Sequence, residues 1–277
     1  MVTRQDYSAN AVEAARSVLL ELAHLLSAYG DDIVVVGGWV PDLLLPAGRD
    51  LHVGSIDVDL AVNHRTLEEP RYQRLKQRLL ERGYKQDDKQ PFRFYRTVSV
   101  KDRPIQVEVD FLAGEYEGTG KRHRTQHFED LRARKARGCE LALEINTSVR
   151  IHGTLPSGGQ DQADISVASA VPFLVMKGMA LYERLKEKDA WDIYFTLKNY
   201  PGGLDALASE FSPYLGNGLV QEGLYKIAEK FASVEHVGPK FVADFDEIAD
   251  SDERERVQRD AFERVDYLLG KLGVKLI

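Results

Sequence analysis

Residues 33–62 read IVVVGGWVPDLLLPAGRDLHVGSIDVDLAV, and the fold turns on how this stretch is parsed. Ile33–Val36 is a short apolar run of β-branched residues, as a buried strand requires. Gly37-Gly38 follows at once, so the backbone can turn tightly and approach a ligand with no Cβ in the way. Trp39 to Leu45 carries a short helical pattern that Pro46 and Gly48 end. Ser55–Leu60 predicts a second strand. Side chains alternate faces along a strand. Asp57 and Asp59 therefore share one face, while Ile56, Val58 and Leu60 point to a core.

Two carboxylates at that spacing repel, and each raises the other's pKa. A divalent cation removes the conflict. Mg²⁺ takes oxygen ligands and is typically held by one or two carboxylates plus substrate phosphates. An isolated Asp-x-Asp is usually a solvated strand face. The preceding Gly37-Gly38, the Gly54-Ser55 step and a third carboxylate point instead to a metal site. That third group is Asp110. Ile105–Leu112, IQVEVDFL, alternates strictly, with Val107, Val109 and Phe111 on one face and Gln106, Glu108 and Asp110 on the other. An antiparallel neighbour of the Asp57 strand would bring Asp110 beside the pair, with Glu108 as its rival.

The order Gly-Gly, then G-S-x-D-x-D (Gly54 to Asp59), then a later strand Asp resembles the nucleotidyltransferase superfamily, the polymerase-β-like fold. Within it, the chain is most similar to AbiEii-type toxin nucleotidyltransferases of type IV toxin–antitoxin systems. The segment Lys177 to Asp192 carries that second likeness. Lys177 interrupts the apolar run of Val171–Leu185; it is either a lysine snorkelling out of a buried helix or a phosphate-contacting cation. Arg184, seven residues on, shares roughly its face. Asp189 and Asp192 open a further helix on one side. An acid in a first helical turn also complements the helix dipole, which suits Asp189 better than Asp192. The resemblance implies an active site of Ser55, Asp57, Asp59, Lys177 and Asp192, with Asp189 as the alternative to Asp192.

Composition bounds the rest. The chain has 277 residues, 43% apolar and 29% charged, with net charge −7 and one cysteine. Such a chain has ample core and no intrachain disulfide, which fits a reducing cytoplasm. The N-terminus shows no signal peptide, and no apolar run approaches a membrane span. P-loop, G-x-G-x-x-G, H-E-x-x-H and C-x-x-C motifs are absent. Acidity argues against a generally basic nucleic-acid binder but not against a local basic surface. Lys121–Arg137, KRHRTQHFEDLRARKAR, holds seven Lys/Arg. It is either a solvated loop or helix face, or a phosphate-backbone surface through Arg122, Arg132, Arg134 and Arg137.

Periodicity predicts helices over Asn10–Tyr29, capped by Asn10, and over Leu67–Arg82. Strands are expected at Phe92–Val98 and Pro104–Leu112, joined by a turn through Lys101-Asp102-Arg103, and at Leu141–Ile145 and Ser148–Leu155. Pro156–Asp161, PSGGQD, reads as a linker. Strand signals end near Ile165, and five helices follow from Val167 to Leu272. The expected fold class is α/β (α+β): a nucleotidyltransferase domain with a mixed sheet over 1–163, then a helical domain over 164–277.

The resulting expectation is metal-dependent transfer of NMP from NTP. Asp57 and Asp59 hold Mg²⁺ (or Mn²⁺), and Asp110 serves as a further ligand or general base. Gly37, Gly38 and Ser55 offer donors to phosphate, with Lys177 and Arg184 as cations. The resemblance implies an RNA acceptor, perhaps the tRNA 3′ end, and a possible cognate antitoxin. Two alternatives stay open. One is a small-molecule acceptor (aminoglycoside-like) or a protein hydroxyl. The other is a nucleotide-binding regulator without catalysis.

Overall fold

The computed structural model describes residues 1–46, 48, 50–63, 69–114, 125–128 and 131–274, with 69–73, 125–128 and 131–132 described by backbone alone. Two compact units are present: a sheet unit, Ser8–Leu43 with Gly54–Ser169, and a helical unit, Met1–Tyr7 with Leu44–Val53 and Ala170–Ile277. The expected division at 163/164 falls inside a strand, because the Pro/Gly-rich segment before it makes a turn rather than a linker.

In the sheet unit, α1 (Ala9–Leu26) precedes β1 (Ile33–Val36), α2 (Val40–Leu44), β2 (Asp57–Val62), α3 (Glu69–Glu81), β3 (Lys85–Gln86), β4 (Arg93–Val100) and β5 (Arg103–Ala113). Then come β6 (Thr125–Phe128), β7 (Leu131–Lys135), α4 (Cys139–Glu144), β8 (Asn146–Thr154) and β9 (Gln160–Ala168). The strand order is β3-β4-β5-β2-β1-β9-β8, with β7 on β5 and β6 on β7. β1 runs antiparallel to β2 and parallel to β9, while β2 runs parallel to β5. The sheet is therefore mixed, as expected from an order that alternates helices and strands.

Several expectations change. α1 is capped by Ser8, whose Oγ accepts from the Ala11 N–H; Ala9 extends the helix, so Asn10 lies inside its first turn and accepts from Lys101 instead. Leu141–Ile145 is not a strand: Cys139–Glu144 is helical and buries Cys139, Leu141 and Ala142. Apolar runs this short do not separate helix from strand. Pro156–Asp161 is no linker: its first four residues lie in the turn of the β8–β9 hairpin, where Gly158 and Gly159 take φ of +85° and +88°, and Gln160 and Asp161 open β9. β9 accordingly continues to Ala168, and the helix expected from Val167 starts at Ala170. The β4–β5 turn is two residues, Lys101 and Asp102, both left-handed with φ of 50° and 61°, the twist a tight hairpin prefers.

The sheet's core lies on the face opposite the acids. Val58, Leu60, Val107, Val109 and Phe111 are fully buried, together with Ala14, Ala15, Val18, Leu19 and Leu22 of α1. Phe94 and Phe111 meet edge to face, centroids 5.6 Å apart, a geometry the ring quadrupole favours.

The helical unit comprises α5 (Ala170–Arg184), α6 (Glu187–Asn199), α7 (Gly203–Phe211), α8 (Gly218–Lys230), α9 (Val237–Phe245) and α10 (Ser251–Lys271). α9 was not expected: Val237–Phe245 lies between the fourth and fifth of the five expected helices. α5 and α8 cross at glycines, since a Cβ on Gly178 would stand 2.5 Å from the Gly223 carbonyl oxygen. Among the described residues, no helix is long and apolar enough to cross a membrane.

The two tryptophans, Trp39 and Trp191, report one unit each. Phe111→Ala in a Trp191→Phe background should lower the stability of the sheet unit by about 3–5 kcal/mol, read from Trp39 fluorescence in urea. A loss below 1 kcal/mol would contradict the packing described.

Candidate active site

The pairing of β2 with β5 builds the acidic face. Their parallel register sets Asp57 against Glu108 and Asp59 against Asp110. Paired residues in a sheet project to the same side, so four carboxylates form a block on one face. Asp110 does reach the Asp57 strand, but across a parallel pair rather than the antiparallel one expected. The reason is topological: β4 lies on the far side of β5 and antiparallel to it, which returns β5 in the direction of β2.

The turn after β1 borders this block. Gly37 has φ of +73°, and a Cβ there would fall 2.2 Å from Asp59 Oδ2. A Cβ on Gly38 would fall 2.5 Å from Ser55 Oγ. Both glycines are therefore required by close approach. The Ser55 hydroxyl donates to Asp57 Oδ1, and the Trp39 indole N–H donates to the Asp57 carbonyl at 2.8 Å. Ser55 is buried, whereas Asp57 and Asp59 are half-buried.

Arg93 of β4 stands in register with Asp110. Its Nε and Nη2 donate to Asp110 Oδ1 and Oδ2 at 2.7 and 2.8 Å. Its Nη1 lies 2.8 Å from Glu108 Oε2. Burial raises the Glu108 carboxyl above its ordinary pKa; Arg93 draws it down, while Asp110 and Asp57 add to the rise. The hydrogen bonds to Asp110 hold the Arg93 guanidinium still more firmly protonated. Arg93 thus offsets part of the repulsion within the block, and a bound cation would relieve more of it.

The donor set fits a hard divalent cation. Asp57 and Asp59 supply oxygen ligands two residues apart on one strand face, and the absent Cβ atoms of Gly37 and Gly38 let the turn pack directly against Asp59 and Ser55. Among the described residues, no group of three His, Cys, Asp or Glu is arranged to hold a metal. The fit is thus to two carboxylates completed by substrate oxygens, the usual manner for Mg²⁺, and not to an all-protein cage.

A second charged cluster forms within the helical unit. Lys177 and Arg184 of α5 lie over the first turns of α6. Lys177 Nζ donates to Asp189 Oδ1 at 2.8 Å and stands 2.7 Å from Asp192 Oδ2. The latter contact lacks hydrogen-bond alignment, so Oδ2 accepts no hydrogen bond. Arg184 grips Asp189 with Nε and Nη2 at 2.7 and 2.8 Å. Lys188 donates to Asp192 Oδ1, and His52 Nε2 lies 3.0 Å from the same oxygen. The rings of Tyr7, Trp191 and Phe245 surround the Lys188 ammonium at 5.1, 5.3 and 6.0 Å, within cation–π reach. Both aspartates named as alternatives therefore hold Lys177.

Lys177, Lys188, Asp189 and Asp192 are all buried. Burial works to raise the Asp192 pKa, but Lys177, Lys188 and His52 hold it well below the carboxylate range. Burial alone would lower the Lys177 pKa; Asp189 and Asp192 more than reverse it. Burial depresses Lys188, with Asp192 opposing and Lys177 adding to the effect.

Of the expected basic residues, Arg134 is exposed on β7 and Arg137 is half-buried after it. The backbone of Arg132 is in β7, while Arg122 lies outside the described residues. Among the described residues of the run, Thr125–Phe128 and Leu131–Lys135 pair as antiparallel strands rather than forming a helix face. β7 docks on β5 with Leu112 opposite Arg134 and Ala113 opposite Lys135.

Sequence reasoning missed Arg93 and His52. Arg93 had a signal: an arginine in a strand predicted to pair with the acid-bearing one. His52 had none, since its partner is distant along the chain.

Asp192→Asn should destabilise the helical unit by about 3–5 kcal/mol, because buried Lys188 loses its counter-charge and Lys177 loses one of its two. A carboxyl whose folded pKa is depressed adds stability that is complete above its unfolded pKa, about 4. That stability fades as pH falls toward the lower folded value. Wild type should therefore lose stability on acidification below about pH 4, and Asp192→Asn should lose less. Urea titrations followed by Trp191 fluorescence in a Trp39→Phe background check both.

No protein-family model matches the chain, and no curated protein matches it. A solved H. pylori structure described as a "putative nucleotidyltransferase" is similar at 16% identity over 94% of this chain and 96% of that one, with a TM-score of 0.44. A likeness that slight fixes neither family nor activity.

Proposed function

We propose that this protein is a divalent-cation-dependent nucleotidyltransferase that moves an NMP from an NTP to an RNA acceptor. The observation that carries the reading is the acidic block beside the diglycine turn: Asp57 and Asp59 on β2, Glu108 and Asp110 in register on β5, and Gly37, Gly38 and Ser55 along one edge. When bound, Mg²⁺ or Mn²⁺ supplies Lewis acidity at the phosphates and neutralises charge on the departing pyrophosphate.

The chain's own groups then have distinct tasks. Asp57 and Asp59 hold the cation. Ser55 orients Asp57 through its hydroxyl. The Gly37 and Gly38 positions, where a side chain has no room, suit a phosphate resting against backbone N–H groups. An acceptor hydroxyl forms the new bond to the α-phosphorus as the bond to pyrophosphate breaks. Its proton passes to a carboxylate of the same face, and Asp110, in register with Asp59, is the assigned base. The cation that the resemblance assigns to the phosphates is Lys177. Its 2.7 Å approach to Asp192 supports Asp192 as a group that positions it.

RNA as acceptor is supported by the placement of β7. Its basic residues pair with β5 directly beyond Asp110, and Arg134 is exposed there. Cations near a transfer centre favour a phosphate backbone. The tRNA 3′ end, the place in a type IV toxin–antitoxin system and a cognate antitoxin rest on the resemblance of G-S-x-D-x-D and the Lys177–Asp192 segment. A small-molecule acceptor would make no use of the basic strand.

The test is transfer of label from each of the four NTPs to total tRNA with Mg²⁺. Asp57→Ala and Asp59→Ala should lower the rate by about 10²-fold or more while leaving circular dichroism unchanged. No transfer with any NTP, beside an active control enzyme, would refute the proposal. Reversing the charge of Arg132, Arg134 and Arg137 should abolish labelling of RNA, and continued labelling would exclude that strand as the RNA contact.

A further inference from the structure

The reaction just proposed uses Asp110 but gives no part to Arg93, although Arg93 contacts two carboxylates of the acidic face. Its fork takes both oxygens of Asp110 at 2.7 and 2.8 Å and reaches Glu108 Oε2 at 2.8 Å with the remaining nitrogen. These contacts are not incidental to a mobile surface arginine. Arg93 and Asp110 are register partners in the β4–β5 ladder, their side chains are only 20% and 10% exposed, and the geometry is the bidentate one that fixes both partners.

We propose that Arg93 is a positioning residue that acts as the resident counter-charge of Asp110. It withholds that carboxylate from metal, so the acidic face takes one divalent cation at Asp57 and Asp59 until the guanidinium is displaced. This rests on the nucleotidyl-transfer reading of the same face.

Two independent observations lead here. Asp110 sits beside Asp59 in register, where a third ligand would be useful, yet no three-ligand group exists among the described residues. A carboxylate with both oxygens in an arginine fork has its strongest acceptor directions occupied, which accounts for the discrepancy. The guanidinium also does electrostatically what a second cation would do: it compensates Asp110 and Glu108 together. Displacing it frees Asp110 to take either a cation or the proton of an acceptor hydroxyl. On this proposal Asp110 takes part only once the guanidinium has moved aside.

The experiment is Mn²⁺ binding to the intact chain without nucleotide, by titration calorimetry and by the electron paramagnetic resonance of free Mn²⁺. Wild type should bind one Mn²⁺. Arg93→Met, which keeps the aliphatic stem but removes the charge, should bind a second, or bind the first about tenfold more tightly, as expected when a unit positive charge leaves a partly solvated site. Arg93→Lys, which keeps the charge without the fork, should stay closer to wild type. Unchanged stoichiometry and affinity in Arg93→Met would overturn the inference and leave the transferase reading standing, as would two equivalent sites in wild type. Absence of any Mn²⁺ binding by wild type would overturn both. Should Arg93→Met fail to fold by circular dichroism, the paired Arg93→Met/Glu108→Gln variant removes one charge of each sign and gives the same readout.

Discussion

The parallel pairing of β2 with β5 is the constraint on which the sheet unit depends. It joins two strands that each carry apolar residues on one face and acids on the other. Once Val58 and Leu60 are buried beside Val109 and Phe111, the acids have no choice of side. Burial of apolar groups, a non-directional force, thereby sets four charged groups in fixed positions. Those positions are electrostatically unfavourable alone. Arg93 offsets part of that repulsion through its contacts with Asp110 and Glu108.

The helical unit solves the opposite problem. There the charges are buried and locally balanced: Asp189 is shared by Lys177 and Arg184, Asp192 by Lys177, Lys188 and His52. Breaking such an arrangement is more damaging than never having built it, because one charge is left desolvated. Three aromatic rings around Lys188 replace part of its lost hydration. A cluster of this kind fixes the directions of α5 and α6 with little freedom, which matters if Lys177 is to present its charge in one orientation.

Much of this was legible in the sequence, for identifiable reasons. The alternation of Asp57–Leu60 and Ile105–Leu112 gave the faces of both strands, and with them the convergence of Asp57, Asp59 and Asp110, whereas Ile56, expected in the core, precedes β2 and is exposed. Gly37 and Gly38 were legible because close approach leaves few other residues possible. The direction of β5 was not, since alternation is the same read either way and only β4, lying beyond it, decides. Leu141–Ile145 was misread because a run that short fits both periods. Pro156–Asp161 was misread because composition marks a reversal without saying whether a hairpin or a linker makes it. The charged cluster of the helical unit was half legible: Lys177, Arg184, Asp189 and Asp192 are near in sequence, whereas His52, which meets Asp192, and the Phe245 ring, which meets Lys188, come from distant segments.

The register of β2 on β5 has one more consequence. Sliding one strand by a single residue would turn its carboxylates inward and its valines outward, so the core and the acidic quartet are correct together or not at all. The two halves of that quartet lie far apart along the chain, and such distant pairings close late in folding. A nascent polypeptide still waiting for β5 carries the motif but not the constellation.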